Sequence, residues 1–155
     1  GALISRNPDF IGQAMKLCQG RLCSATLDQL GAAALYSVDP DYFTATRDEY
    51  RRRRNACVEG LHKIPGVVCG EPKGAFYLMA KLPVDDADKF QTWLLEEFED
   101  QGETLMFAPG EGFYATPGKG KDEIRIAYVL NEADIRRSME LLGIAIARYQ
   151  KEKMA

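Results

Sequence analysis

Apolar residues recur at the three- and four-residue spacing of helices in four segments of the chain. An Asn or Asp stands before each segment, where its side chain can accept hydrogen bonds from the first helical turn. We therefore predict helices from Asn7 to about Gly20, from Asp39 to about Ile64, from Asp85 or Asp86 to Gln101 and Gly102, and from Asn131 to the lysines near the end of the chain.

A further segment, ATLDQLGAAALY at 25–36, is rich in alanine and leucine. Such small side chains allow another backbone to approach closely. We expect Ala32 to Leu35 to be buried, either in the core of this chain or at an interface between subunits or domains.

Short β-prone runs alternate with these helices in the second half of the chain. Val67 to Cys69 and Ala75 to Ala80 flank a turn at 71–74, which predicts a hairpin. Thr104 to Ala108 and Ile124 to Leu130 predict two more strands. This order of elements predicts an α+β fold, a few-stranded sheet covered by helices. A dinucleotide-binding fold is excluded because regular strand-helix alternation and a G-x-G-x-x-G turn are both missing.

The composition is that of a globular chain, with 46% hydrophobic and 28% charged residues. No apolar run approaches the roughly 18 residues that cross a bilayer, so we expect no membrane partner. Lys and Arg total 20 against 23 Asp and Glu, which argues against nucleic acid as a partner. The four consecutive arginines at 51–54 point around a whole helix beside Asp48 and Glu49, so we interpret them as a solvated face.

The four cysteines form no C-x-x-C pair and have a single histidine, His62, to join them, so the spacing is poor for a metal site. We expect reduced thiols used as small core residues, and hence a cytoplasmic location. The chain starts without Met, and residues 2–4 are typical of a strand entered midway, so we expect it to be part of a longer protein.

The glycine-rich run between Ala108 and Leu130 does not match a phosphate-binding Walker loop. Gly118 lies one position too far from Gly112, and Lys119 precedes Gly120 where the motif requires Ser or Thr. A predicted strand follows the run, whereas a Walker loop opens a helix.

Arg125 lies in this last strand, in the sequence EIRIAYV. Alternation places Ile124, Ile126 and Tyr128 on one face and Arg125 on the other, among apolar neighbours. An unpaired guanidinium is costly there, so we expect an anionic partner, and its planar set of donors suits a carboxylate. Strand chemistry alone favours an internal salt bridge or an exposed position on an edge strand over a ligand.

Three motifs in order resemble the class I/II aminotransferases, the aspartate aminotransferase superfamily: GAFYLMAKLP at 74–83, APGEGFY at 108–114 and DEIRIAYVLNEADI at 122–135. The resemblance covers essentially the whole chain. It implies a C-terminal small domain at 38–155, a linking helical segment at 1–37, and a large domain upstream that would hold pyridoxal 5'-phosphate.

The resemblance implies that Arg125 binds the α-carboxylate of an amino-acid substrate and that Phe76 lies near the active site. The intact protein, a homodimer in this family, would transfer an amino group between an aspartate-like L-amino acid and a 2-oxo acid. The cofactor lysine is expected upstream, so this chain alone should neither bind the cofactor nor transaminate. Tyr114 departs from the family, many of whose members have glycine there.

Two other functions stay open. One is a lyase or synthase of the same superfamily, which also uses pyridoxal phosphate, because a fold does not fix the reaction. The other is a non-catalytic module that binds carboxylates or a protein partner.

Overall fold

The computed structural model describes residues 3–21 and 23–153. The chain divides into two compact units, and the first ends at Tyr42 and the second begins at Phe43. The helices are α1 (Pro8–Gln19), α2 (Thr26–Ala34), α3 (Pro40–His62), α4 (Ala87–Glu96) and α5 (Glu132–Lys153). The strands are β1 (Val68–Cys69), β2 (Tyr77–Lys81), β3 (Ala108–Pro109) and β4 (Glu123–Ala127). The domain boundary after residue 37 stays a prediction.

The first unit contains α1 and α2. Asn7 caps α1 as predicted, since its side-chain oxygen accepts the N–H groups of Asp9 and Phe10 at 3.0 and 3.1 Å. Neither helix buries a residue. The prediction that Ala32 to Leu35 enter the core of this chain is therefore wrong, because all four are exposed; the subunit or domain interface stays a prediction.

The second unit is built on one antiparallel sheet with the strand order β1-β2-β4-β3. The predicted hairpin is confirmed, since Val68 pairs with Lys81 and Cys69 with Ala80. Together with the five α-helices of the described residues, this sheet confirms the predicted α+β fold.

One face of the sheet packs against helices α3, α4 and α5. Leu78 and Ala80 of β2 and Ile124 of β4 supply its buried side chains. Each helix contributes a stripe of buried apolar side chains at helical spacing. These are Cys57 and Leu61 from α3, Phe90, Trp93 and Leu94 from α4, and Ile135, Met139, Leu142, Ile146 and Tyr149 from α5. The opposite face carries no helix of this unit, and Tyr77, Lys81 and Ala127 are exposed there. We call this the open face.

The strand predicted from Thr104 to Ala108 is wrong except at its last residue. Its polar groups bind α4 instead of a neighbouring strand: the Thr104 hydroxyl donates to the Leu94 carbonyl, and the Phe107 N–H donates to Oε1 of Gln91, both at 2.8 Å. A β-prone sequence thus forms an extended connection because a helix satisfies its hydrogen bonds.

Helix α4 also ends earlier than predicted, at Glu96. The N–H groups of Glu97 and Phe98 both donate to the carbonyl of Trp93, and the second bond spans five residues, so the last turn is wider than an α-helical turn. The predicted stop at Gln101 and Gly102 is a separate turn, where both residues have positive φ angles of 56° and 78°.

The arginine run is a solvated face at Arg51 and Arg52, as predicted, whereas Arg53 and Arg54 are half-buried and donate to the carbonyls of Val129 and Pro72. Arg51 pairs with Asp48, Arg52 and Arg53 pair with Glu49, and Arg54 reaches Glu71. No helix in the described ranges combines the length and apolar character that a membrane span requires.

The cysteine prediction is only partly right. Cys57 is fully buried and Cys69 half-buried, whereas Cys18 and Cys23 are exposed and therefore are not core residues. All four are free thiols.

Candidate functional site

Arg125 lies at the centre of the open face. Strand β4 runs between β2 and β3, and Arg125 is opposite Met79 on one side and Ala108 on the other. Its neighbour Ile124 is completely buried on the packed face, so alternation directs Arg125 outward. The alternative of an arginine on an edge strand is therefore wrong.

Two aromatic rings flank the Arg125 guanidinium. Its Cζ lies 4.4 Å from the ring centroid of Phe113 and 5.3 Å from that of Tyr77. Both distances lie within the range of cation–π contacts. The N–H donors lie at the edge of the group, so they stay available to a ligand.

Arg125 differs from every other arginine of the second unit. Within residues 43–153 its guanidinium forms no ion pair with a carboxylate, whereas the rest are all paired: Arg47, Arg51, Arg52, Arg53, Arg54, Arg136, Arg137 and Arg148. The internal salt bridge favoured by strand chemistry is thus not formed among these residues. A half-buried guanidinium with unused donors can bind a carboxylate through two parallel hydrogen bonds.

The other charged groups of the open face are already engaged. The Glu123 carboxylate accepts a hydrogen bond from the Tyr114 hydroxyl at 2.5 Å, which raises the pKa of Tyr114. The Lys81 ammonium pairs with Asp122 at 2.8 Å, and this hydrogen bond raises the pKa of Lys81. An incoming anion therefore finds Arg125 as the unpaired cation among these neighbours.

The glycine-rich run positions Phe113 over Arg125. Gly110 donates its N–H to the Glu123 carbonyl at 2.7 Å, and a Cβ at Gly110 would stand 2.7 Å from that same oxygen. This close approach requires glycine. The 3₁₀ turn Glu111–Phe113 follows directly and carries the Phe113 ring to the guanidinium.

Phe76 does not contact the guanidinium in the described structure. Its ring lies 6.2 Å from that of Tyr50 on α3 and 5.6 Å from that of Tyr77, edge to face. It is 49% exposed and lines a cleft of about 390 Å³ together with Arg51 and Lys73. Tyr77 therefore connects the two predicted site residues.

Sequence reasoning missed Tyr77 and Phe113 as neighbours of Arg125. Alternation along β2 would have placed Tyr77 on the open face, opposite to Leu78, once the strand was anchored in the core. Phe113 has no such signal, because its position depends on a 3₁₀ turn that leaves no periodic pattern.

A comparison with protein-family models shows to which family this chain is related. The model for aminotransferase class I and II matches residues 1–142. The chain belongs to this family. The described fold therefore belongs to a family member, and Arg125 lies inside the matched range.

Curated family members resemble the chain over most of its length. The aspartate aminotransferase of Rhizobium meliloti is 27% identical over 156 residues, covering 91% of the chain and 35% of the relative. That of Bacillus subtilis strain 168 is 30% identical over 133 residues, with coverages of 81% and 30%. The chain thus spans about a third of the length of these relatives.

Solved structures agree with the fold. An α-aminoadipate aminotransferase of Thermus thermophilus matches 94% of the chain and 37% of its own, with a TM-score of 0.75 at 24% identity. A kynurenine aminotransferase of Pyrococcus horikoshii, solved in complex with PMP, matches 70% of the chain and 26% of its own, with a TM-score of 0.60 at 25% identity.

Proposed function

We propose that this chain is the C-terminal small domain of a pyridoxal-phosphate-dependent aminotransferase and that Arg125 binds the α-carboxylate of an aspartate-like L-amino acid. One observation carries the proposal. Arg125 is the arginine of residues 43–153 that lacks an internal carboxylate, and two aromatic rings hold it on the open face. Membership of the aminotransferase family supplies the substrate class.

The residues around Arg125 suit a carboxylate but do not suit the cofactor. Pyridoxal phosphate is held through a lysine amine, and the open-face lysine, Lys81, is already engaged in an ion pair with Asp122. As the family resemblance implies, we propose that the cofactor lysine lies outside this chain. The chain alone is expected to be inactive in transamination.

Arg125 would contribute binding and orientation. A bidentate contact fixes the plane of the substrate carboxylate, and the adjacent rings lower the local dielectric and strengthen that contact. Fixing the carboxylate would orient the rest of the substrate, and the cofactor, when bound, would supply an electron sink. The 2-oxo acid that accepts the amino group has the same carboxylate, so Arg125 serves both half-reactions.

The test uses the protein with its upstream coding sequence restored. Arg125→Gln should lower kcat/KM for L-aspartate by about 10- to 150-fold, because hydrogen bonds to a charged group contribute about 1.5–3 kcal/mol. The control is Arg148→Gln, which removes an arginine of the same unit that is paired with Glu152. Equal kcat/KM values for both variants and the parent would contradict the proposal.

A non-catalytic carboxylate-binding module is the second candidate. The same unpaired Arg125 supports it, since a guanidinium between rings binds a carboxylate without any cofactor. The visible absorption spectrum of the restored protein separates the two. A visible absorption band that shifts with L-aspartate supports the aminotransferase, and a colourless protein after addition of cofactor supports the module.

The exposed helices of the first unit favour an oligomer. Leu27, Leu30 and Leu35 are each more than half exposed, and together with the alanines beside them they form an apolar surface. We propose that the intact protein is a homodimer that covers this surface. Sedimentation of the restored protein tests the proposal.

A further inference from the structure

Glu123 is placed to neutralise Arg125. Both residues lie on the open face of β4, two positions and therefore about 7 Å apart along the strand. Two side chains of this length can close that distance into an ion pair. Such a pair would occupy the donors that a ligand carboxylate needs.

In the observed structure Glu123 is hydrogen-bonded by Tyr114 instead. The Tyr114 hydroxyl donates to Oε2 of Glu123 at 2.5 Å. Its ring is fixed in turn, because it lies against Gly120, where a Cβ would come within 2.3 Å of the ring carbon Cε2. The Lys119 ammonium lies 5.1 Å from the ring centroid.

We propose that Tyr114 is a positioning residue, whose hydroxyl holds the Glu123 carboxylate away from Arg125 and so keeps the guanidinium available. That the unpaired Arg125 guanidinium binds a ligand rests on the proposed function. The competition between Tyr114 and Arg125 for Glu123 is independent of the proposed function, and it can be measured on this chain without a ligand.

The first experiment records the ¹⁵N Nε–H signal of Arg125 by NMR, assigned by its loss in Arg125→Lys. Tyr114→Phe keeps the ring against Gly120 and removes only the hydroxyl. We expect the signal to shift in Tyr114→Phe and to return to its parent position in Tyr114→Phe/Glu123→Gln. Tyr36→Phe, at a tyrosine that is 96% exposed, should leave the signal unchanged.

Two results would overturn the proposal. An Arg125 signal that stays in place in Tyr114→Phe means that Glu123 does not turn to the guanidinium. A shift that persists in the double variant means that the hydroxyl acts on the loop and not through the Glu123 carboxylate.

The second experiment measures KM for L-aspartate in the restored protein. Tyr114→Phe should raise KM about two- to fivefold, the range of a partly exposed ion pair, and Glu123→Gln in the same protein should bring KM back. A KM unchanged by Tyr114→Phe, in a protein that responds to Arg125→Gln, would overturn the effect on the ligand. If Arg125→Gln leaves KM unchanged, the proposed function is wrong. The NMR signal still tests the competition for Glu123 in that case.

Discussion

On the packed face of the sheet, Leu78 and Ile124 lie beneath three helices; on the open face, Met79 and Arg125 alternate with them along the same two strands. The packed face contains apolar side chains in mutual contact, whereas the open face contains an unpaired guanidinium between two rings. Under the proposed function, adjacent residues of one strand serve stability and binding separately. Substitutions at neighbouring positions should therefore affect either the free energy of unfolding or the binding of a ligand.

The largest expected effect is on β2. Leu78→Ala should lower the free energy of unfolding by about 2–5 kcal/mol, because it leaves a cavity at a side chain that is only 4% exposed. Met79→Ala is the matched control, one residue along on the open face, and should cost less than about 1 kcal/mol. Urea unfolding followed by circular dichroism measures both, and similar losses would refute the division between the faces.

A smaller effect should appear at alkaline pH. Burial raises the pKa of the Cys57 thiol from 9.0 to about 12, with a second contribution from Cys69. In the unfolded chain the thiol loses its proton near pH 9, so the folded state binds more protons between pH 9 and about 12, and stability falls as pH rises through this window. Cys57→Ala should reduce the slope of stability against pH.

The control for that titration is Cys18→Ala, which removes an exposed thiol of the first unit. Its slope should match that of the parent. Equal slopes in all three proteins would show that the Cys57 thiol is not protected by the core.

The smallest expected effect on stability is at Arg125. Arg125→Gln should change the free energy of unfolding of this chain by less than about 0.5 kcal/mol, because no internal carboxylate among the described residues loses its partner. The same urea titration measures it. A loss of several kcal/mol would mean that Arg125 supports the fold, and the reduced kcat/KM expected of this variant would then need a structural explanation.

Local chemistry made much of the fold predictable. Asn7 and Asp86 cap helices where an Asn or Asp precedes an apolar stripe, and the period of two placed Arg125 and Ile124 on opposite faces of β4. These features depend on residues close together in the sequence, so propensity and periodicity report them directly.

The failures concern long-range partners. Thr104 and Phe107 leave the predicted strand because acceptors on α4 take their hydrogen bonds, and Leu35 stays exposed because nothing in its own unit covers it. The prediction of the candidate site was limited in the same way, by contacts between residues far apart in the sequence. Alternation could direct Arg125 outward, but the contact with Phe113 depends on how a glycine-rich loop folds back across the strand.

The edges of the sheet bear on how the protein behaves in solution. Both edge strands, β1 and β3, are only two residues long, and β3 includes Pro109, which has no N–H to offer. Short edges and proline deny another chain a template for strand addition, which is a common route to aggregation. A sheet with one uncovered face can thus stay dispersed, and partners are expected to approach across its surface and not along its rim.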